Sequence, residues 1–143
     1  MTKSVNGSPA VLPNMLEGAL RQLRTGLQEL SETRFPGLRT RHYRLLTFVP
    51  DGGIRPARMV ELSGLTKQAL AQALEPLQQG HYVDVVPDPA DRRARVVRLT
   101  PRGREVIAAV LDMQASYERR WAERVGEDRW RGARQVLLDL FAG

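Results

Sequence analysis

Val83-Asp84-Val85-Val86, Pro87-Asp88-Pro89-Ala90-Asp91-Arg92-Arg93 and Arg95-Val96-Val97-Arg98-Leu99 follow one another closely, and together they dictate the architecture. The outer runs are rich in β-branched residues and predict strands over 83–86 and 95–99. The segment between them concentrates proline and aspartate, which favour turns, and it carries two arginines. The three pieces therefore form a hairpin with a turn-rich, basic loop.

Upstream, Thr66 reads as the N-cap of a helix running to about Gln79. Leu70, Ala73, Leu74 and Leu77 stand at i, i+3, i+4 and i+7 and make one core face. Lys67, Gln68, Ala71, Gln72 and Glu75 fall on the opposite side. Before it, Pro56 suits the first turn of a short helix over 56–62, closed by Ser63-Gly64. Two helices joined by a short glycine-containing turn make a helix-turn-helix. Many helical hairpins share that pattern, but a basic hairpin directly after it is the wing of a winged helix. Downstream, Thr100-Pro101 restarts helix, with threonine as cap and proline at the first helical position.

The remaining chain is helical in pattern. Leu16, Leu20, Leu23, Leu27 and Leu30 recur in steps of four and three, an amphipathic seam that ends near Phe35-Pro36-Gly37. A second helix is expected over 39–49, with Leu45, Leu46, Phe48 and Val49 inward, ahead of the turn Pro50-Asp51-Gly52-Gly53. A long helix over 101–125 carries Val106, Ile107, Val110, Met113, Tyr117 and Trp121 on one side. A last helix over 127–141 carries Trp130, Ala133, Leu137, Leu140 and Phe141. These outer helices hold more apolar stripe than a small winged domain needs, so they pack on one another or on a second chain.

Composition agrees with a polyanionic partner. The 143 residues include 22 basic and 16 acidic side chains, a formal charge of +6, and the only lysines are Lys3 and Lys67. Arginine offers a planar fork to phosphates and guanine edges. There is no cysteine, hence no disulfide, thiolate nucleophile or cysteine redox switch. His42 and His81 are the only imidazoles and do not have metal-ligand spacing, so neither metal nor cofactor is expected. No apolar run is long enough to span a bilayer, and residues 1–9 lack the apolar core of a signal peptide, which makes the cytoplasm the expected compartment.

Met59-Val60-Glu61-Leu62-Ser63-Gly64-Leu65-Thr66-Lys67-Gln68, Leu74-Glu75-Pro76-Leu77, Asp88-Pro89-Ala90-Asp91-Arg92-Arg93 and Val97-Arg98-Leu99-Thr100-Pro101-Arg102-Gly103 resemble the multiple-antibiotic-resistance regulator (MarR) family. The Asp-Pro-x-Asp-Arg-Arg wing followed by Leu-Thr-x-x-Gly is the most specific part. The resemblance covers 39–110 by motif and the whole chain by length and helix order. It implies a mainly α winged helix-turn-helix with a two-stranded β wing and flanking dimerisation helices. The expected organisation is one domain over 1–143, with a flexible tail at 1–10, a DNA-binding lobe at 38–100 and dimerisation helices at 11–35 and 101–142. The resemblance further implies an obligate homodimer on a pseudo-palindromic operator, acting as a repressor and released by a small aromatic or anionic effector.

Two positions depart from the family pattern, and a third bears on the helix itself. His81 stands where the family usually has glycine, with Gly80 one place earlier, so either Gly80 or His81 takes the left-handed backbone. Val85 replaces a residue that is often basic. Pro76 removes a helical N–H and is expected to kink the helix beyond its groove-facing residues.

In this architecture the helix after the turn enters the major groove with its N-terminal residues foremost. Thr66, Lys67, Gln68 and Gln72 are the polar groups there, glutamine suited to adenine and lysine to guanine. By resemblance, Arg93 inserts into the minor groove and Asp91 orients it; a narrow groove concentrates negative potential that an arginine reads. Arg58, Arg92 and Arg95 are expected on phosphates. Phe35, His42, Tyr43, Arg44, Tyr117 and Trp121 are the candidates for an effector cleft, although aromatic residues at such spacing are more often core.

Other functions find little support. No Ser-His-Asp order, phosphate loop, metal motif or cysteine nucleophile speaks for an enzyme. RNA binding would want an aromatic-studded sheet, which is missing. The remaining alternative is a winged-helix DNA binder without an effector, governed by protein partners or abundance.

Overall fold

The computed structural model describes residues 4, 5 and 7–142. In chain order the elements are β1 (Ser4–Val5), β2 (Ser8–Pro9), α1 (Leu12–Thr33), α2 (Thr40–Thr47), α3 (Pro56–Ser63), α4 (Lys67–Gln79), β3 (Val83–Pro87), β4 (Arg95–Leu99), α5 (Pro101–Val125) and α6 (Glu127–Phe141). The chain divides into two compact units, one spanning Leu27–Val110 and one made of the residues up to Gly26 and from Leu111 on. Among the described residues no helix is long and apolar enough to cross a membrane.

The Leu27–Val110 unit holds the core. Tyr43, Leu45 and Leu46 of α2, Met59 of α3, Leu70 and Leu77 of α4, Val83, Val97 and Val106 are all but sealed from solvent. The apolar face predicted for α4 is buried as drawn, and Phe48 is the one member of the 45–49 set left half-exposed. Strands β3 and β4 pair antiparallel from Val83↔Leu99 to Pro87↔Arg95, which sets Asp84 directly opposite Arg98. Ile54 adds a third edge by exchanging two backbone bonds with Val97, at 2.9 and 2.8 Å.

The helix-turn-helix closes as its residues suggest. Gly64 caps α3 in the left-handed region, φ 72°, and its N–H donates to Val60 O at 3.0 Å. The Ser63 hydroxyl then accepts from Leu65 N at 3.2 Å, which shapes the turn into α4. Helix α4 continues past Pro76 for three residues, so the proline does not end it. Of the two candidates for the left-handed residue, His81 takes it at φ 59°, while Gly80 lies at φ −79°. Gly80 is needed for space instead, since a Cβ there would overlap the Tyr82 ring.

The Leu-Thr-x-x-Gly motif has an equally concrete basis. Thr100 Oγ1 accepts from Gly103 N at 3.0 Å and donates toward the carbonyls of His81 and Tyr82, at 2.6 and 3.1 Å. A Cβ at Gly103 would overlap the Tyr82 carbonyl oxygen, so only glycine lets the first turn of α5 settle there.

In the other unit Gly26 of α1 meets Met113 and Tyr117 of α5 with no room for a side chain. Trp121 donates its Nε1–H to Gln22 Oε1 at 2.7 Å and meets Trp130 of α6 edge-on, 5.1 Å between centroids. Part of the expected tail at 1–10 lies outside the described residues, but Ser4–Val5 pairs with Ser8–Pro9 as a small hairpin. Helix α1 also starts at Leu12, four residues before the seam begins, and α2 spans only Thr40–Thr47, continued by tighter bonds from Phe48 and Val49 N–H to Leu45 and Leu46 O.

Replacing His81 by glycine relieves an L-residue in the left-handed region and should raise stability by about 1 kcal/mol, a rise of a few degrees in Tm. His81→Val should lower it. Gly103→Ala should cost about 1–3 kcal/mol through the clash with Tyr82. Thermal and urea denaturation of the three variants check these signs.

Candidate nucleic-acid interface

The N-terminus of α4 is built by one side chain. Thr66 has extended backbone, φ −70° and ψ 161°, and its Oγ1 accepts from Ala69 N at 3.1 Å. That cap leaves the neighbouring N–H groups free to face outward, where a helix start favours anions. Thr66, Lys67, Gln68 and Gln72 are all exposed on the face opposite the buried leucines.

The wing loop is shaped by its two aspartates. Asp88 Oδ1 accepts from Ala90 N at 2.9 Å, and Asp91 Oδ1 accepts from Arg93 N at 3.1 Å. Each is an Asx turn, the side chain bonding the backbone two residues on. Asp88 N donates to Ala94 O at 2.9 Å and Ala94 N to Asp91 O at 2.9 Å, so the loop is hydrogen-bonded along its length. Its tip residue Arg93 has a side chain 93% exposed, and its Nε lies 3.3 Å from Asp91 Oδ1. An ion pair that open is worth little by itself. Asp91 thus acts on Arg93 mainly by fixing the backbone from which the side chain springs.

The other candidates divide. Arg92 and Arg95 are exposed, at the loop and at the start of the return strand. Arg58 is exposed on α3 and engages Glu61 at 2.8 Å. The sequence did not reveal that Arg55 reaches Asp88, with Nε and Nη2 at 2.9 and 2.7 Å from Oδ2. The Ala90 N–H and the Arg55 guanidinium hold the Asp88 carboxyl below the usual carboxylate range.

Of the effector candidates, Phe35, His42 and Tyr43 are each at most 3% exposed within the Leu27–Val110 unit. Tyr43 Oη lies 2.7 Å from the Ser31 hydroxyl, which donates to Leu38 O. His42 Nδ1 accepts from Arg39 N at 2.9 Å, a local cap for α2, so the neutral ring carries its proton on Nε2. That Nε2 has no hydrogen-bond partner among the described residues. Burial, then the charges of Arg41 and Arg39, keep the imidazole below its ordinary pKa. Arg44 is exposed, donating to Ser63 O at 3.1 Å and resting on the Phe48 ring. Tyr117 and Trp121 belong to the other unit, where they stack 6.2 Å apart.

The chain is similar to known proteins in sequence and in fold. A transcriptional regulator, HosA of Escherichia coli O111:H-, is 29% identical over 116 residues, covering 78% of this chain and 86% of HosA. The reduced form of MarR from E. coli superimposes with a TM-score of 0.75 at 16% identity, covering 94% of this chain and 99% of that one. The chain resembles HosA in sequence and has the fold of MarR. Among MarR-type folds, FabT from Streptococcus pneumoniae, solved in complex with DNA, matches with a TM-score of 0.76 at 15% identity over 92% of this chain and 93% of FabT. No family model matches the chain.

The cap that organises the MarR-type α4 can be tested without DNA. Thr66→Ala should cost about 1 kcal/mol of stability, while Thr66→Ser should retain most of it. Equal urea midpoints for Thr66→Ala and the wild type would show that the cap contributes nothing.

Proposed function

We propose that the protein is a cytoplasmic homodimeric repressor that reads a pseudo-palindromic operator with α4 in the major groove and the wing in the adjacent minor groove. The observation that carries this reading is the pairing, within one unit, of an exposed polar α4 start with an almost fully exposed Arg93 on a hydrogen-bonded loop. Gln68, Lys67 and Gln72 read base edges, Thr66 and the helix start take a phosphate, and Arg58, Arg92 and Arg95 supply further phosphate contacts. Asp91 presents Arg93 to the groove.

An operator selected from genomic fragments, titrated beside a scrambled duplex at several salt concentrations, tests the assignment. Arg95→Ala should weaken both duplexes alike and reduce the salt slope by about 0.9. Arg93→Ala should weaken the operator by about tenfold or more. Asp91→Ala should also weaken the operator, although it makes the wing more positive. Tighter binding of both duplexes by Asp91→Ala would replace presentation with bulk charge attraction.

Dimerisation is supported by α6. Trp130 is half-buried and every other residue of this helix is exposed, with Leu140 at 66% and Phe141 at 79%. A helix of that length is marginal in water without a packing partner. Leu16 and Leu20 of α1 are open too. Double replacement Leu140→Asp, Phe141→Asp should give a monomer by light scattering with operator binding lost. A wild-type monomer at micromolar concentration would remove this part of the proposal.

A second reading adds release by a small aromatic or anionic effector. The observation favouring it is the buried, unpartnered Nε2–H of His42, a donor that a ligand oxygen would satisfy. A panel of hydroxybenzoates should then include a compound that raises Tm in the wild type but not in His42→Phe. No rise with any member leaves control to protein partners or abundance.

A further inference from the structure

Asp88 stands at the root of the wing, five residues before the tip arginine, and its side chain is only 13% exposed. Both carboxylate oxygens are committed, Oδ2 to the Nε and Nη2 of Arg55 and Oδ1 to Ala90 N. Arg55 in turn is fixed by its backbone. It is the residue from which α3 starts, its carbonyl accepting from Arg58 and Met59 N–H at 3.0 and 3.2 Å. Its neighbour Ile54 is bonded to Val97 in the return strand. The guanidinium therefore ties the base of the wing to the first residue of the helix-turn-helix.

The stabilising value of this tie is small, because half of the Arg55 side chain is in water. Its geometric value is larger. A two-stranded ribbon alone is a weakly held element, and among the described residues the Arg93 side chain at its tip bonds only to Asp91. Two contacts on one duplex reinforce each other only when the link between them has the right span and direction.

We infer that Arg55 is a positioning residue for DNA recognition: acting through Asp88, it sets the direction of the wing relative to α4 so that both grooves are engaged together, without itself touching DNA. The inference rests on the wing reading proposed above. The rival role for an exposed arginine at this place is a direct phosphate contact, and the two roles differ in salt dependence, in the effect of Asp88 and in their coupling to Arg93.

The experiment titrates the selected operator with the full-length wild type, Arg55→Gln, Arg55→Lys, Asp88→Asn, Arg93→Ala and the doubles Arg55→Gln/Arg93→Ala and Arg55→Asp/Asp88→Arg, each at several salt concentrations. Positioning requires Arg55→Gln and Asp88→Asn to weaken binding by similar factors with the salt slope unchanged. Arg55→Lys, which keeps the charge and loses the two-pronged donor, must lose affinity as well. The Arg55→Gln loss does not persist in the Arg93→Ala background, and the swapped pair recovers part of the affinity. A phosphate contact instead lowers the slope by about 0.9 for Arg55→Gln, leaves Arg55→Lys near wild type, tightens Asp88→Asn and adds to Arg93→Ala; that pattern overturns the inference. Wild-type affinity in Arg55→Gln alongside a loss in Arg93→Ala also overturns it and leaves the wing reading standing. Wild-type affinity in Arg93→Ala overturns the wing reading itself. Hydrogen exchange of the Ala90 and Ala94 amides supplies the readout on the free protein: it accelerates in Arg55→Gln if the tie holds the loop, and an unchanged rate counts against the inference. If Arg55→Gln does not fold, the Arg55→Lys and Asp88→Asn titrations decide by the same criteria.

Discussion

The carbonyl oxygen of Tyr82 lies where three parts of the Leu27–Val110 unit join. It accepts from Thr100 N at 3.1 Å, sits at the same distance from the Thr100 hydroxyl, and occupies the space that a side chain at Gly103 would need. The preceding residue reverses the chain out of α4, and the following one opens β3. Arg102 closes the joint from outside, stacked 4.6 Å above the Tyr82 ring and bonded to its hydroxyl at 3.1 Å. Recognition helix, wing and long helix therefore leave from one place. Because interiors are packed as tightly as crystals, a shift there reaches the helix and the wing alike.

Electrostatics in the wing serve shape more than attraction. Each aspartate removes positive charge from an arginine-bearing loop, yet each holds a backbone N–H that gives the loop its turn. The depressed pKa of Asp88 has a definite pH sense. Its contribution is present above the carboxylate's unfolded pKa and is lost as pH falls through the lower folded value. The arginines are left to do what an unfolded loop could do equally well, attract a polyanion, while the aspartates decide where they stand.

Much of this was legible in the residues. Thr66 as cap, Gly64 as helix stop, the α4 apolar face and the Thr100-Pro101 restart are local signals, and each depends on side chains within four positions of one another. Helices α5 and α6 fall on the ranges their periodicity predicts. What escaped was either long-range or ambiguous. The Arg55–Asp88 tie joins residues 33 apart, and no period announces it; a lone β-branched Ile54 between a turn and a helix start was the only hint of a third strand edge. His81 could not be chosen over Gly80 until the Tyr82 ring was seen to fill the space beside Gly80. The same ambiguity attends Phe35, His42 and Tyr43, whose spacing suits a cleft or a core and which are all buried here.

The Arg55–Asp88 tie also has a temporal side. Helices α3 and α4 are built from bonds between near neighbours, and the β3–β4 hairpin is nearly as local, whereas the tie must close a long loop. Such closure costs entropy that rises only slowly with loop length, but it waits until both ends exist. A growing polypeptide emerges N-terminus first. Helix α4 and the β3–β4 loop are therefore separated in synthesis, with α4 already made before the ribosome reaches the aspartate that ties the loop to Arg55. Coordination between them is a property only of the finished chain.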